Sequence, residues 1–202
     1  MRGVAGLAGS LTETLQQAAA HERLVMLCSF QKEESVILDE LLDIAPHVRV
    51  ATIDTGVLFD ETLATWRAFE ERFGVVVEVQ EAYGPWTGPE QCCGAEKVAA
   101  LQRALAGADA WITGLRREQG PTRAATELVE VDARRGGIAK YGPLALWTEK
   151  DLWQRIHERE LPYHPLHDQG YQSIGCAPCT RAGSGREGRW AGSDKTECGL
   201  HV

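Results

Sequence analysis

The chain has 202 residues, of which 44% are hydrophobic, so it can bury one sizeable core but is too short for two domains of average size. Its formal net charge of -8 argues against broad nucleic-acid binding, which needs many Lys and Arg residues to neutralise phosphates. There is no apolar run of membrane-spanning length and no basic start followed by an apolar stretch, so we expect a cytoplasmic protein without membrane contact.

The first part of the chain predicts alternating helices and strands. Residues 11–22 have the pattern of a helix capped by Ser10, with Glu13 three positions later as in a capping box. The run LVMLCSF at 24–30 is typical of a strand that is buried on both faces of a parallel sheet. Further strands are predicted at 48–53, 75–79 and 110–113, with an additional one at 128–132, and further helices at 35–44, 61–73, 95–106 and 148–160.

This alternation predicts an α/β fold with a doubly wound, mostly parallel sheet, right-handed crossovers and helices on both faces. After Pro162 the periodicity ends, and a Gly-rich segment without a predicted element follows. A long segment of this kind is usually a lid, a binding segment or disordered chain. We therefore predict an α/β domain at 1–180 and a mobile tail at 181–202, with a flexible joint at 183–185.

Three loops follow the predicted strands, at the edge of the sheet where open parallel sheets bind ligands. The loop beginning at Ser29 offers a hydroxyl and helix N-terminal amides for phosphate or sulfate, although such a serine is also an ordinary helix cap. The DTG turn at 54–56 suits a ribose or base contact, but it is also an ordinary turn. The loop 114–123 carries several arginines and suits bidentate oxyanion binding.

Basic residues are concentrated in the loops and the tail, whereas acidic residues are spread over the helices. This distribution predicts a local pocket for a small anion, and the alternative is a set of solvated surface arginines. The residues concerned are Arg116, Arg117, Arg123, Arg181, Arg186, Arg189 and Lys195.

Four of the six cysteines form two groups. Cys92 and Cys93 are adjacent, and Cys176 and Cys179 form a C-x-x-C. In a reducing compartment such groups are metal ligands or reactive thiols rather than disulfides, and four thiolates admit zinc or an iron-sulfur cluster. Adjacent cysteines suit the separate corners of a four-iron cluster better than one zinc ion, while buried unliganded thiols are the alternative.

The remaining two cysteines stand alone. Cys198 lies in the polar segment ECGLH near Lys195 and His201, which predicts an exposed thiol whose positive neighbours favour the thiolate. We interpret it as a nucleophile, with an incidental surface cysteine as the alternative. Cys28 lies inside a predicted buried strand, so we interpret it as a packing residue.

Seven segments taken together carry a family resemblance. They are SFQKEES, IDTG, CCGAEK, TGLRREQGPTRA, CAPCTR, REGRW and ECGLH. From about residue 24 to residue 202 the chain resembles the assimilatory adenosine 5'-phosphosulfate reductases, within the sulfonucleotide reductase family. This resemblance implies an adenine nucleotide α-hydrolase-like, Rossmann-like fold. It also implies that Cys198 attacks the sulfur of adenosine 5'-phosphosulfate and releases AMP, and that thioredoxin or a similar dithiol then frees sulfite from an enzyme S-sulfocysteine.

The resemblance also implies site residues. Cys92, Cys93, Cys176 and Cys179 match the ligands of a 4Fe-4S cluster, one per chain. We expect this cluster to be structural and electrostatic, since thiol and disulfide chemistry already accounts for both electrons. Among the substrate-binding residues, Arg186 and Arg189 match sulfate-binding arginines, and Lys97 matches a lysine close to cluster and substrate. The full predicted substrate-binding set is Ser29, Lys97, Gly114, Arg116, Arg123, Arg186, Arg189 and His201.

Three alternative functions stay open at this point. A 3'-phosphoadenosine 5'-phosphosulfate reductase is the nearest, although family members with that substrate generally lack the cluster cysteines. A PP-loop ATP pyrophosphatase such as a tRNA sulfurtransferase is less compatible, because Phe30 and Gln31 stand where glycines would let the backbone approach a pyrophosphate. A non-catalytic redox sensor would leave the tail unexplained. Departures from the family pattern at Val57 and Gly142 bear on fine substrate contacts, and the oligomeric state, a homo-oligomer included, is open.

Overall fold

The computed structural model describes residues 4–84, 88, 94–190 and 195–200. Within these residues, α-helices alternate with short strands along most of the chain. The helices are α1 (Val4–Ala19), α2 (Lys32–Ile44), α3 (Asp60–Phe73), α4 (Ala95–Ala104) and α5 (Glu149–Arg159). The strands are β1 (Leu24–Leu27), β2 (Arg49–Asp54), β3 (Glu78–Glu81), β4 (Ala110–Ile112), β5 (Val129–Asp132) and β6 (Ile138–Tyr141).

The six strands form one sheet in the order β3-β2-β1-β4-β6-β5. All neighbouring strands are parallel except β5, which pairs antiparallel with β6 at one edge. The chain starts in the middle of the sheet and runs outward first to one side and then to the other, so the topological switch point lies between β1 and β4. Ligands of such sheets bind beyond the carboxyl ends of the strands at this point. The predicted doubly wound, mostly parallel sheet is confirmed.

Hydrophobic side chains of the central strands alternate between two cores. Leu24 and Met26 of β1 and Ile112 of β4 pack in one cluster, together with residues of α1, α2, α3 and α5. Val25 and Trp111, on the opposite face of the same strands, pack in a second cluster with residues of α4. Burial on both faces explains why these strands read as continuous apolar runs instead of alternating patterns.

The first helix differs from the prediction. It begins at Val4, so Ser10 lies inside the helix and the predicted cap at this residue is wrong. Leu7, Leu11 and Leu15 follow helical spacing and are buried, which extends the amphipathic pattern toward the N-terminus. The packing of this face against the sheet outweighs the capping preference of Ser10, whose carbonyl accepts a 2.7 Å hydrogen bond from the Thr14 hydroxyl.

The strands also differ from the prediction in extent and number. β1 ends at Leu27 instead of residue 30, and β3 occupies Glu78–Glu81 instead of 75–79. The predicted strand at 128–132 exists as β5, but β6 was missed because its four residues, IAKY, form neither an apolar run nor a long alternation. No helix in the described ranges is both long and apolar enough to span a bilayer.

The segment after Pro162 contains more structure than its composition indicated. Short 3₁₀ helices occupy Pro165–Gln169 and Ala177–Cys179. The Arg181 amide donates to the Gly188 carbonyl at 2.8 Å, and the Trp190 amide donates to the Cys179 carbonyl at 2.8 Å. Residues 181–190 therefore pack against the chain that precedes residue 180, while the mobility of 181–202 stays a prediction.

Candidate active site

A cavity of about 350 Å³ opens at the switch point of the sheet. Its volume lies in the range of about 300–1,000 Å³ that small-molecule sites occupy. The walls come from the Ser29 loop, the Thr113 loop, residues 172–176, the arginines near residue 186, and Cys198 with Leu200. The cavity thus joins the edge of the sheet to the segment that was predicted to form a tail.

The turn between β1 and α2 directs charged side chains into this cavity. Phe30 has a φ of 59°, in the left-handed region that a bulky residue rarely adopts. Its buried ring stacks on Trp66 with the ring centroids 5.1 Å apart, and Phe69 meets it edge to face. These contacts hold the turn, after which Glu33 and Glu34 follow as buried cavity-lining residues.

Glu34 connects two of the predicted ligand-binding loops. Its Oε2 accepts hydrogen bonds from the Gln31 amide at 2.8 Å and from the Ser29 hydroxyl at 3.3 Å. Burial, together with the neighbouring Glu33, raises the pKa of Glu34 to about 8, so this carboxyl group is mainly neutral at pH 7. A Cβ at Gly114 would lie 2.7 Å from Glu34 Oε1, so only glycine permits the close approach of the loop after β4.

The adjacent arginines of that loop do not form a shared oxyanion site. Arg116 is buried, and its guanidinium pairs with Glu33 at 2.9 Å, with Glu149 at 2.6 Å and with Glu118 at 3.1 Å. Burial opposes its charge, but these carboxylates outweigh that effect and raise the pKa of Arg116. Arg117 instead binds the Thr126 carbonyl at 2.7 Å and the Glu127 carboxylate. Of these two arginines, Arg116 lines the cavity.

Arg123 and Arg186 converge on one carboxylate, that of Glu197. Arg123 binds it bidentately, with Nε at 3.0 Å from Oε2 and NH2 at 2.9 Å from Oε1, and Arg186 NH2 lies 2.6 Å from Oε1. Burial would raise the pKa of Glu197, but the two arginines outweigh it and lower the pKa to about 2. Burial and the charge of Arg123 lower the pKa of Arg186 to about 10. Glu197 was missed in the sequence because nothing in its spacing shows which cations it meets.

Arg189 completes the basic wall of the cavity. Its guanidinium lies over the Trp190 ring, 4.6 Å from the centroid, and the Arg186 guanidinium lies 5.1 Å from the same ring. The Ile174 carbonyl accepts a 3.0 Å hydrogen bond from Arg189 NH1. A Cβ at Gly175 would overlap this guanidinium, so the position of Arg189 depends on a glycine there.

Cys198 is buried, with only 6% of its surface exposed, which corrects the expectation of an exposed thiol. The polar segment around it is docked by side chains that the sequence did not identify as partners. Glu197 is held by Arg123 and Arg186, and the Leu200 carbonyl accepts a 2.8 Å hydrogen bond from Arg135 NH2. Cys198 also lines the cavity, so this buried residue lies beside the space that a ligand would occupy.

Cys176, which lines the cavity, and Cys179 lie three residues apart in a C-x-x-C turn. Both are buried, flank a 3₁₀ turn and belong to the same core cluster as Cys198. The Thr55 hydroxyl lies 3.2 Å from Cys176 Sγ, so this residue of the DTG turn meets a thiol. Two buried thiols in a C-x-x-C turn fit a soft metal or an iron-sulfur cluster. Cys92 and Cys93 lie outside the described residues, and within the described ones no group of three or more His, Cys, Asp or Glu could hold a metal ion.

Most of the predicted substrate-binding residues meet in one place. His201 lies outside the described residues. The predicted residues that line the cavity are Ser29, Lys97, Gly114, Arg116, Arg123, Arg186 and Arg189. The charged residues that line it or pair with its arginines without having been predicted are Lys32, Glu33, Glu34, Glu118, Glu149 and Glu197.

The phosphoadenosine phosphosulfate reductase domain family matches residues 23–182 of the chain. The chain belongs to this family. Its relatives include the adenosine 5'-phosphosulfate reductase of Bacillus pumilus, 43% identical over 198 residues, which cover 89% of this chain and 84% of the relative. The phosphoadenosine 5'-phosphosulfate reductase of Gloeobacter violaceus is 42% identical over 201 residues, covering 90% and 83%.

Solved structures show the same fold. The phosphoadenylyl-sulfate reductase of Candida auris, in a phosphate complex, superposes with a TM-score of 0.71 at 26% identity, covering 85% of this chain and 90% of that one. A U34-tRNA thiolase from Methanococcus maripaludis, solved with its 4Fe-4S cluster, has a TM-score of 0.58 at 14% identity, covering 78% and 66%, which is a likeness of fold. The predicted adenine nucleotide α-hydrolase-like fold is confirmed.

Proposed function

We propose that this chain reduces adenosine 5'-phosphosulfate to sulfite and AMP, with Cys198 as the nucleophile and thioredoxin or a similar dithiol as the reductant. The observation that carries the proposal is that Cys198 lines the same cavity as Arg123, Arg186 and Arg189. Relatives named adenosine 5'-phosphosulfate reductase, such as those of Bacillus pumilus and Bacillus subtilis, support this substrate.

In the first step, the thiolate of Cys198 attacks the sulfur of the substrate. A sulfur–sulfur bond forms while the bond between that sulfur and the bridging phosphate oxygen breaks, so AMP leaves and Cys198 carries a sulfonate. The arginines stabilise the charge that develops on the phosphate and sulfonate oxygens. Arg186 also interacts with the charge of Cys198, which favours the thiolate as the attacking form.

In the second step, one thiolate of the dithiol attacks Cys198 Sγ and displaces sulfite, which takes the bonding electron pair. The mixed disulfide is then attacked by the second thiol of the reductant, so Cys198 returns as a thiol. Both electrons that reduce the substrate come from the dithiol. For this step Cys198, which is buried, has to become accessible to another protein.

We further propose that Cys176 and Cys179 hold a 4Fe-4S cluster together with Cys92 and Cys93. The buried C-x-x-C turn beside the cavity supports this set, as does the preference of adjacent cysteines for a cluster over a single ion. When bound, the cluster would crosslink these segments and contribute to the electrostatics beside the cavity that Cys176 lines. Lys97, which lines the cavity and lies on α4, adds a cation to the same region.

A second candidate substrate is 3'-phosphoadenosine 5'-phosphosulfate. The name of the Gloeobacter violaceus relative favours it, at nearly the same identity as the adenosine 5'-phosphosulfate reductases. The grouped cysteines favour the nucleotide without the additional phosphate, since family members that use the 3'-phosphorylated substrate generally lack them. Comparing kcat/KM for the two nucleotides decides between them, and we expect the higher value for adenosine 5'-phosphosulfate.

The proposed chemistry is tested by mass spectrometry without reductant. After mixing with adenosine 5'-phosphosulfate, we expect one added sulfonate on the peptide that contains Cys198, and release of sulfite only after a dithiol is added. Cys198→Ser should form no adduct and no sulfite, whereas Glu187→Gln, altered at an exposed carboxylate of the later segment, should keep the adduct. Sulfite production by Cys198→Ser, or an adduct on another residue, would contradict the proposal.

A further inference from the structure

We propose that the carboxylate of Glu197 is a clasp that docks the segment 195–200 onto Arg123 and Arg186 and thereby positions the Cys198 thiol at the cavity. Glu197 is a positioning residue in this view, because it acts on the nucleophile through the arginines. The inference rests on the proposed function only in taking Cys198 to be the reactive thiol.

The carboxylate of Glu197 accepts hydrogen bonds both from the arginines and from the backbone of the segment that it holds. Oε1 accepts from Arg123 NH2 at 2.9 Å, from Arg186 NH2 at 2.6 Å and from the Cys198 amide at 2.8 Å. Oε2 accepts from Arg123 Nε and from the Thr122 hydroxyl, both at 3.0 Å. The same carboxylate therefore ties two arginines of the main body to the backbone of the nucleophile. Charge-assisted bonds of this kind are stronger than neutral ones and fix geometry.

The arginines around the clasp outnumber its single negative charge, so they can also bind a substrate anion. Arg123 and Arg186 bind Glu197, and Arg189 lies near Arg186. The Nε atoms of Arg186 and Arg189 are buried without a hydrogen-bond partner within the described residues. A single carboxylate thus does not neutralise the three cations. The segment can stay docked while an anion occupies the remaining donors, which places the nucleophile and its target in one site.

A second anchor holds the segment on the other side of Cys198. Beyond Cys198, the Leu200 carbonyl accepts from Arg135 NH2 at 2.8 Å and the Leu200 side chain is buried in the core. Cys198 consequently lies between two anchored residues. Without the charge of Glu197, the thiol is held firmly on one side only and is exposed to solvent more often.

The clasp is tested by the rate at which iodoacetamide alkylates Cys198 in the ligand-free, full-length protein, measured by peptide mass spectrometry. Glu197→Gln keeps the shape but removes the charge, and we expect alkylation to become about tenfold faster, which corresponds to about 1.4 kcal/mol. Glu187→Gln is the matched control, since it removes an exposed carboxylate from the same region and should keep the wild-type rate. Amide hydrogen exchange in β1 and β4 reports general loosening of the core and should not change.

A milder variant guards against a folding defect in Glu197→Gln. Thr122 is exposed, so Thr122→Val removes one hydrogen bond from a neutral donor to Oε2 with little risk to folding, and we expect about threefold faster alkylation of Cys198. The proposal is overturned if folded Glu197→Gln reacts like Glu187→Gln, if hydrogen exchange in β1 and β4 accelerates together with the alkylation of Cys198, or if Glu197→Gln does not fold and Thr122→Val reacts like wild type. Alkylation needs no substrate, so this outcome is independent of the sulfonate test of the proposed function.

Discussion

Two neighbouring carboxyl groups at the start of α2 have opposite protonation behaviour. Burial would raise the pKa of Glu33, but Lys32 and Arg116 outweigh it and lower the pKa below its usual value. Glu34 has no such cation, so burial and the charge of Glu33 raise its pKa to about 8. Pairs whose surroundings separate their pKa values in this way are typical of functional cavities. The helix start, which often carries solvated acids, here contributes a charged and a mainly neutral carboxyl to one wall.

The raised pKa of Glu34 makes stability depend on pH. The folded protein keeps a proton that the unfolded chain releases above the ordinary value of 4.5, so stability falls as the pH rises from there to about 8. For this group the loss approaches about 1.4 kcal/mol per pH unit. We expect Glu34→Gln to flatten the decrease in melting temperature between about pH 5 and about pH 8, measured by thermal unfolding. Glu187→Gln should retain the wild-type dependence, and an equal slope in both variants would contradict the assignment.

At the scale of elements, buried ion pairs and close approaches hold the loops around the cavity. Arg116, in the loop after β4, pairs with Glu33 of α2 and Glu149 of α5, and Lys32 of α2 pairs with Glu149 at 2.9 Å. Two helices and one loop thus share a network in which buried Lys32, Glu33 and Arg116 are paired and Glu149 is partly exposed. Removal of one partner leaves an uncompensated buried charge, which is strongly destabilising.

A substitution at Gly114 tests how tightly the loop after β4 packs against α2. A Cβ there would lie 2.7 Å from Glu34 Oε1 and 2.8 Å from Glu33 Cβ, so one element has to move. We expect Gly114→Ala to lower the free energy of unfolding by about 1–3 kcal/mol, measured by urea denaturation. Gly9→Ala, inside α1 with no atom within 4 Å of the added carbon, should instead stabilise by up to about 1 kcal/mol. Unchanged stability of Gly114→Ala would show that the loop is not confined.

At the scale of the whole molecule, the cavity lies where three distant parts of the chain meet. The edge of the sheet contributes residues near 30 and 114, and the later segment contributes residues near 176, 186 and 198. A cluster held by Cys92, Cys93, Cys176 and Cys179 would crosslink parts of the chain about 80 residues apart, and such binding contributes to folding stability. Cofactor content and stability are therefore expected to change together.

Anaerobically purified protein is expected to contain about four irons per chain and no stoichiometric zinc, measured by elemental analysis and visible absorption. Cys176→Ser and Cys179→Ser should lose most of the iron and melt at a lower temperature, because the crosslink is removed. Cys28→Ala should keep its iron, since Cys28 lies in the opposite core cluster. One zinc per chain in the wild type, or full iron in Cys176→Ser, would contradict the cluster proposal.

The sequence predicted many of the residues at the site, but not which of them contact one another. Ser29, Gly114, Arg123 and Arg186 were identified from loop position and family pattern, and they do line one cavity. The role of Glu197 was not predictable, because a carboxylate next to a cysteine says nothing about arginines 11 and 74 residues away in the chain. The divergence of Arg116 and Arg117 likewise depends on which acids the fold brings near each of them.

The sequence by itself determined the α/β architecture, because apolar runs of strand length alternate with helical periodicity and these local patterns require burial on both faces of a sheet. It also determined the chemical character of the site through its grouped thiols and loop arginines. Only the tertiary structure decided that Cys198 is buried, that Glu197 meets Arg123 and Arg186, and that Ser10 lies within a helix. These features depend on contacts between residues far apart in the chain, whose energies outweigh local preferences and leave no periodic signal.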